Sequence, residues 1–154
     1  MAMITHGSGT AEDPWKLRTP PLTSEFEAWS DTAADPPALV VQVGKTRLAY
    51  HLRALEDAHA MLAAHGDWME LGNADEGKPV KPGTLESWAR DPGNPVGGYY
   101  GLRKGYRGRF ANYVAPVMEL LGLVELEHEA RGNRVRVRQA EGLAGPQSSS
   151  QILR

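Results

Sequence analysis

The sequence predicts a domain of the α+β class, and three patterns carry this prediction. Residues 123–138 alternate between polar and apolar side chains, which is the period of a β-hairpin with two opposite faces. Residues 38–50 contain a second pair of strand-like runs, separated by Gly44 and Lys45. Between these hairpins, apolar residues recur at helical spacing. About three helices flanked by two hairpins indicate a mixed architecture.

The C-terminal hairpin is predicted to carry its charges on one face and its apolar side chains on the other. The apolar face would hold Val124, Leu126, His128, Val135 and Val137. A turn over residues 130–133 would set three ion pairs across the opposite face, namely Glu129 with Arg134, Glu127 with Arg136, and Glu125 with Arg138. The arginines of this hairpin would therefore already have acidic partners.

The second hairpin, over residues 38–50, should lead directly into the first helix. Its inward-facing residues would be Leu48 and Tyr50, and Leu52, just after the hairpin, would also face inward. Apolar positions then recur every three or four residues over 52–65, and Gly66 is suited to end a helix. This segment is the best-supported helix of the sequence.

A loop is predicted for residues 67–81, followed by a short second helix. The helix would begin after Pro82-Gly83-Thr84, because Thr84 can cap a helix and Glu86 follows closely. It would run through Arg90 and carry Trp88 inward.

The third helix is predicted between Gly108 and Leu121, with Gly122 as the terminating residue. Its apolar stripe would consist of Phe110, Val114, Val117 and Leu121. Pro116 lies inside this segment, and a proline removes one helical hydrogen bond. Two alternatives follow: a helix that is kinked at Pro116, or one that begins near Asn112, an acceptable cap residue.

The two ends of the chain are predicted to be irregular. Residues 1–37 mix glycine, proline, threonine and acidic residues, which suits an irregular segment fixed by a few aromatic side chains. These aromatic anchors would be Trp15, Phe26 and Trp29. We expect an irregular N-terminal segment over 1–24, a single domain over 25–138 and a disordered tail over 139–154.

Length and composition narrow the class of protein. The 154 residues suit one domain, and the chain has no cysteine, which excludes disulfide frameworks, thiolate zinc sites and cysteine nucleophiles. The opening residues lack the pattern of an export signal, and no later apolar run could span a bilayer. These features predict a cytoplasmic protein.

The net charge of −2 hides an uneven distribution. Residues 1–89 hold 7 Lys/Arg against 13 Asp/Glu, a net −6, whereas residues 90–154 hold 10 against 6, a net +4. Residues 92–118 contain no acidic side chain, and their cations are Arg103, Lys104, Arg107 and Arg109. We expect a polyanion to meet this segment first.

The order hairpin, helix, short helix, helix, hairpin resembles that of a winged helix-turn-helix domain. Residues 117–126, Val-Met-Glu-Leu-Leu-Gly-Leu-Val-Glu-Leu, resemble the passage from the third helix of that family into its wing. The resemblance covers residues 46–138. The opening Gly-Ser-Gly-Thr-Ala-Glu-Asp-Pro-Trp-Lys-Leu also resembles the start of a group of small uncharacterised bacterial proteins of unassigned function.

The winged-helix resemblance implies that the third helix recognises DNA or RNA. Arg109 and Asn112 would reach base edges in the major groove. Phosphate contacts would come from Arg103, Lys104 and Arg107, and the hairpin tip would touch the flanking backbone through Arg131 and Asn133. Glu119 and the hairpin glutamates would repel a duplex. The resemblance therefore predicts an interface that the chain's own charges partly oppose.

Residues 97–110 also suit an anion site of a different kind. They interleave five glycines, three tyrosines and four cations, so backbone N–H groups, guanidinium groups and aromatic faces would lie close together. The alternative is a tight connector with buried tyrosines and solvated cations. The candidate residues for binding a nucleic acid or another anion are Arg103, Lys104, Tyr106, Arg107, Arg109, Asn112, Arg131 and Asn133.

No catalytic motif, metal site or cofactor site is predicted. Glu56 and His59 have the spacing of a carboxylate-bridged metal site, but such sites need a second copy that the sequence lacks. Three hypotheses for function remain: a nucleic-acid-binding protein, a protein–protein interaction module, and an enzyme or small anionic-ligand binder. A homodimer is compatible with each of them.

Overall fold

Residues 7–138, the part of the chain that the computed structural model describes, form two antiparallel sheets and three α-helices. The first sheet is a meander in the order β1-β2-β3-β4. Its strands are β1 (Trp15–Arg18), β2 (Glu25–Asp31), β3 (Ala38–Val43) and β4 (Thr46–His51). The predicted tail at 139–154 lies outside the described residues.

The prediction of an irregular N-terminal segment is wrong for residues 15–18 and 25–31, which form β1 and β2. The first half of strand β2 alternates in the way a half-buried strand should, since Phe26 and Ala28 are buried and Glu25 and Glu27 are more exposed. Trp29 is also buried, in a separate small cluster with Ala38 and Val40. Two cross-strand ion pairs support the pairing with β1, Lys16–Glu27 at 3.3 Å and Arg18–Glu25 at 3.6 Å.

The second predicted hairpin is confirmed as β3 and β4, which pair in antiparallel register across Gly44. Leu48 and Tyr50 are buried as predicted, and Leu52 is partly buried against the same core. Helix α1 (Ala54–His65) is also confirmed, and Gly66 ends it in the left-handed conformation with φ 77°.

The short second helix is confirmed as α2 (Leu85–Trp88), but its predicted end at Arg90 is wrong, because residues 89–90 form a turn. The side-chain oxygen of Thr84 accepts a hydrogen bond from the Ser87 amide at 3.2 Å, so Thr84 is its N-cap. The Trp88 ring stacks on Tyr100 with centroids 5.0 Å apart. This packing holds the following connector against the core.

The third helix is α3 (Phe110–Leu120), with Pro116 inside it. The alternative in which this helix begins near Asn112 is therefore wrong. Every residue from Phe110 to Met118 is buried, so tertiary packing stabilises a helix that its internal proline weakens. Gly122 follows with φ 79°, as expected for the end of a helix.

The C-terminal hairpin is confirmed, but its predicted register is wrong by two residues. Strands β6 (Val124–Leu126) and β7 (Arg134–Val137) pair Val124 with Val137, Glu125 with Arg136, and Leu126 with Val135. The connecting loop is longer than a four-residue turn, because the Asn133 side chain bonds to both the amide and the carbonyl of Glu129, at 2.6 and 3.0 Å.

A third strand, β5 (Met69–Glu70), pairs with β7 and gives the second sheet the order β5-β7-β6. Helices α1 and α3 contact this sheet, and α3 also contacts β1. One main hydrophobic core joins both sheets and all three helices of the described region.

The mixed α+β class is confirmed by these elements, and the winged-helix arrangement is not confirmed. A four-stranded meander precedes α1, and α2 is only four residues long. No helix within residues 7–138 is long and apolar enough to cross a membrane.

Candidate functional site

The glycine- and tyrosine-rich connector between α2 and α3 is folded against β4. Tyr100 is buried, and its hydroxyl donates a hydrogen bond to Asp57 at 2.8 Å. Burial raises the pKa of Tyr100 above its ordinary value, so the hydroxyl keeps its proton. The Tyr50 hydroxyl donates to the carbonyl oxygen of Gly108 at 2.7 Å. These two tyrosines are therefore part of the scaffold.

The backbone of this connector binds an anion, and that anion is the carboxylate of Glu76. The amides of Gly105 and Arg107 donate hydrogen bonds to Glu76 at 3.0 and 2.9 Å. Desolvation would raise the pKa of Glu76, but the two amides and the charges of Arg107 and Lys104 outweigh it, so the pKa lies below its ordinary value. A group of the protein itself thus occupies the anion site predicted from the glycines.

Most cations of the connector also have partners within the chain. Arg103 lies over the ring of Tyr106, 4.5 Å from its centroid, and donates a hydrogen bond to the Tyr106 hydroxyl at 2.6 Å. Arg107 lies 4.8 Å from the centroid of Tyr99. Arg109 forms an ion pair with Asp75 at 2.5 Å. Lys104 is exposed.

The N-terminus of α3 is capped from inside the protein by Glu86. This carboxylate has no exposed surface and accepts hydrogen bonds from the amides of Phe110 and Ala111, at 3.1 and 2.8 Å. It also pairs with Arg90 at 3.1 Å. Burial raises the pKa of Glu86, although these donors act in the opposite direction. The end of α3 that the winged-helix resemblance would insert into DNA is occupied by this cap.

Two of the three hairpin arginines predicted to be paired do form ion pairs, although with different glutamates, whereas Arg138 forms none with a described residue. Arg134 bonds to Glu127 at 2.6 Å and Arg136 bonds to Glu125 at 2.9 Å. Both guanidinium groups also lie over the ring of Trp68, 5.1 and 4.5 Å from its centroid. This face of the second sheet is therefore balanced in charge.

A cleft of about 450 Å³ opens beside the first turn of α3, and we call it the Asn112 cleft. Its walls come from residues 20–21, 70–74 and 130–133, together with Pro79, Lys81 and Asn112. Asn112 is only 8% exposed, and its side-chain amide has no hydrogen-bond partner in the described part of the chain. Among the described residues, the buried side-chain nitrogens without a partner belong to Arg90 and Arg107; the Asn112 amide is not one of them, so it is open to the solvent of the cleft.

Two cations and one carboxylate set the charge of the Asn112 cleft. Lys81 pairs with Glu70 at 2.7 Å, whereas Arg131 is exposed and forms no ion pair or hydrogen bond with a described residue. The Asn133 side chain bonds to Glu129 through both its oxygen and its nitrogen. The groups left for a ligand are the Asn112 amide, Arg131 and the remaining protons of Lys81, in a cleft of net charge +1.

The eight predicted binding residues thus fall into three groups. The structure brings Asn112, Arg131 and Asn133 together in the Asn112 cleft. Arg109 lines a separate cavity of about 480 Å³ beside Asp75 and Glu76. The other predicted residues, Arg103, Lys104, Tyr106 and Arg107, lie on the connector. Lys81 and Glu70 were missed, because no local pattern indicates that β5 pairs beside the hairpin loop.

A wider groove of about 950 Å³ lies between strands β1 and β2 and the end of α3, and we call it the His128 groove. The ring of His128 contacts the carbonyl oxygen of Pro20 through Nδ1 at 2.8 Å and the carboxylate of Glu119 through Nε2 at 2.7 Å. Desolvation would lower the pKa of His128, but these two contacts raise it above its ordinary value. His128 lies two residues beyond the end of β6, and its ring forms polar contacts to α3 and to the loop between β1 and β2.

The comparisons with known proteins give a family and no function. A model of a family of unknown function, DUF6855, matches residues 7–138. No curated protein and no solved structure matches the chain. Within the same residues, no group of three or more histidine or acidic side chains could hold a metal ion. The family match fits the resemblance to small proteins of unassigned function and gives no support to a winged helix. The chain belongs to the DUF6855 family of unknown function.

Proposed function

We propose that the protein binds a small anionic ligand, carrying a carboxylate or phosphate group, in the Asn112 cleft. The observation that carries this proposal is the unpartnered amide of Asn112, whose residue is only 8% exposed. This amide lines the cleft and has no hydrogen bond to a described residue. A ligand can therefore bond to it without breaking a hydrogen bond of the protein.

The charge of the cleft supports an anion as the ligand. Arg131 and Lys81 together exceed Glu70 by one positive charge, and Arg131 has no internal partner among the described residues. A guanidinium group can grip a carboxylate or phosphate with two parallel hydrogen bonds. The volume of about 450 Å³ also falls within the range of about 300–1,000 Å³ that is typical of small-molecule sites.

The test is a titration with inorganic phosphate, sulfate and succinate, in which binding is measured by amide NMR chemical shifts and by calorimetry. We expect shifts to concentrate in residues 70–74 and 130–133. Arg131→Ala should weaken binding by about tenfold, since a hydrogen bond to a charged group contributes about 1.5–3 kcal/mol and Arg131 is exposed.

Arg138→Ala is the matched control, because Arg138 is an exposed arginine of the same hairpin that does not line the cleft. If both variants lose affinity for the anion equally, net charge alone explains the effect and a specific site is refuted. The absence of binding by all three probes would remove the proposal.

Recognition of DNA or RNA through a winged-helix-like surface stays a prediction, as does a protein partner. Arg109, Arg134 and Arg136 already pair with carboxylates. Polyanion binding would therefore depend on the connector cations, chiefly Arg103 and Lys104. Titration with DNA and RNA at low salt, using an Arg103→Ala/Lys104→Ala variant, would separate this function from binding in the Asn112 cleft.

A further inference from the structure

His128 joins three parts of the chain through one ring. It lies in the hairpin loop, its Nδ1 contacts the carbonyl of Pro20 between β1 and β2, and its Nε2 contacts Glu119 on α3. A carbonyl oxygen and an ionised carboxylate can only accept hydrogen bonds. Both contacts therefore exist together only when both ring nitrogens carry a proton, that is, when His128 is a cation. A neutral ring must give up one of them.

These contacts adjoin the Asn112 cleft. Pro20 and Pro21 form one wall of the cleft, and residues 130–133 form another. His128 is two positions before the second wall and bonds to the backbone of the first. It therefore connects the two walls directly. We call the contacts of His128 with Pro20 and Glu119 the latch.

The wall at residues 20–21 belongs to a strained loop. Leu22 has φ 66°, in the left-handed region that a leucine rarely adopts, and its amide donates to the carbonyl of Thr19 at 2.7 Å. Leu22 is also 47% exposed, so little packing holds it in place. Hydrogen bonds from Thr19 to the carbonyl of Ser24 close this loop, and the hydrogen bond from His128 to Pro20 ties it to the C-terminal hairpin.

The charges around His128 favour its cationic form. Glu119 faces the ring from α3 and raises the pKa of His128, together with the Pro20 carbonyl. From the first sheet, the charged groups that line the same groove are Lys16, Arg18, Glu25 and Glu27. The neighbouring charges on the hairpin loop are Glu127, Glu129 and Arg131. Glu119 is the charged group among these in direct contact with the ring.

We infer that protonation of His128 closes the Asn112 cleft around its ligand, and that loss of this proton frees the Pro20 wall and weakens binding. This inference rests on the proposed function, because it assigns a pH response to the same cleft. Anion binding would then be strongest in mildly acidic solution. The ligand would be released as the pH rises.

The test is the affinity for sulfate between pH 5.5 and 8.5, a range in which sulfate keeps its charge. We expect the wild-type affinity to fall by about tenfold across this range, and the affinity of His128→Gln to stay constant and low. His65→Gln is the control, because His65 also contacts a carbonyl oxygen, that of Trp68, but lies outside the cleft. Its profile should follow the wild type.

A second variant covers the case in which His128→Gln does not fold. Glu119→Gln removes the charge that stabilises the cationic ring, so the midpoint of the sulfate profile should move to lower pH. A midpoint that stays in place, or a wild-type affinity that does not vary with pH, would overturn the latch.

A measurement without ligand separates this inference from the proposed function. Amide hydrogen exchange, corrected for its intrinsic pH dependence, should show that residues 19–24 and 127–133 lose protection together as the pH rises. If sulfate binds at no pH but this joint loss occurs, the proposed function fails and the latch stands as a property of the fold. If protection in both loops is independent of pH, the latch fails even where sulfate binds.

Discussion

Glu86→Gln should destabilise the protein strongly, because this buried carboxylate caps α3 and pairs with Arg90. Removing one partner of a buried ion pair costs about 3–5 kcal/mol, compared with about 0–1 kcal/mol for a surface pair. Glu86 has no exposed surface, and the Arg90 side chain is 10% exposed. Arg90 keeps three carbonyl acceptors, on Ala74, Asp75 and Lys78, which favours the lower end of the range.

A loss of about 3 kcal/mol corresponds to a decrease in Tm of roughly 6–12 °C in a chain of this size. Differential scanning calorimetry measures it, with Glu25→Gln as the control. Glu25 pairs with Arg18 on the surface, where the two side chains are 80% and 59% exposed, so this variant should lose about 1 kcal/mol or less. Equal decreases in Tm for the two variants would refute the view that Glu86 anchors α3, and with it the positioning of Asn112.

Three further predictions concern the cleft, the latch and the anion site of the connector. Asn112→Leu should abolish sulfate binding in calorimetry. Tm should stay constant or rise, because the amide has no internal partner among the described residues. A lower Tm would mean that Asn112 stabilises the fold. The raised pKa of His128 stabilises the fold below about pH 6.5, and this contribution is lost as the pH rises through the folded-state pKa. The difference in Tm between wild type and His128→Gln should therefore shrink towards alkaline pH. A constant difference would contradict this linkage. Glu76→Ala should speed amide exchange at Gly105 and Arg107, and added sulfate should slow it again; unchanged exchange would show that the carboxylate is dispensable.

The parts of the fold that follow local patterns could be predicted from the sequence. Helix α1 carries its apolar period and its terminating Gly66 within one continuous segment, and the two faces of the C-terminal hairpin follow from strict alternation. The hairpin register could not be predicted, because it depends on the side chain of Asn133 closing a longer loop onto Glu129. Strand β1 was missed because four residues give too short a pattern.

The candidate site was only partly predictable, for a physical reason. Asn112, Arg131 and Asn133 were selected for a nucleic acid, yet they meet in a cleft whose other walls come from distant segments of the chain. Glu76 lies 29 residues before the amide of Gly105 that it binds, and nothing in the local sequence connects them. Pairings of this kind are set by tertiary packing, which a single sequence does not display.

The carboxylate of Glu76 has a consequence for any external anion that approaches the connector. Because this carboxylate is tethered a short distance from the two amides it occupies, it competes as an internal ligand at an effective concentration on the order of millimolar or higher. A free phosphate or nucleic-acid backbone would have to displace it and also meet the charge of the neighbouring Asp75. The glycine-rich connector is therefore self-saturated, and for this reason we propose the Asn112 cleft, and not the connector, as the site for an external anion.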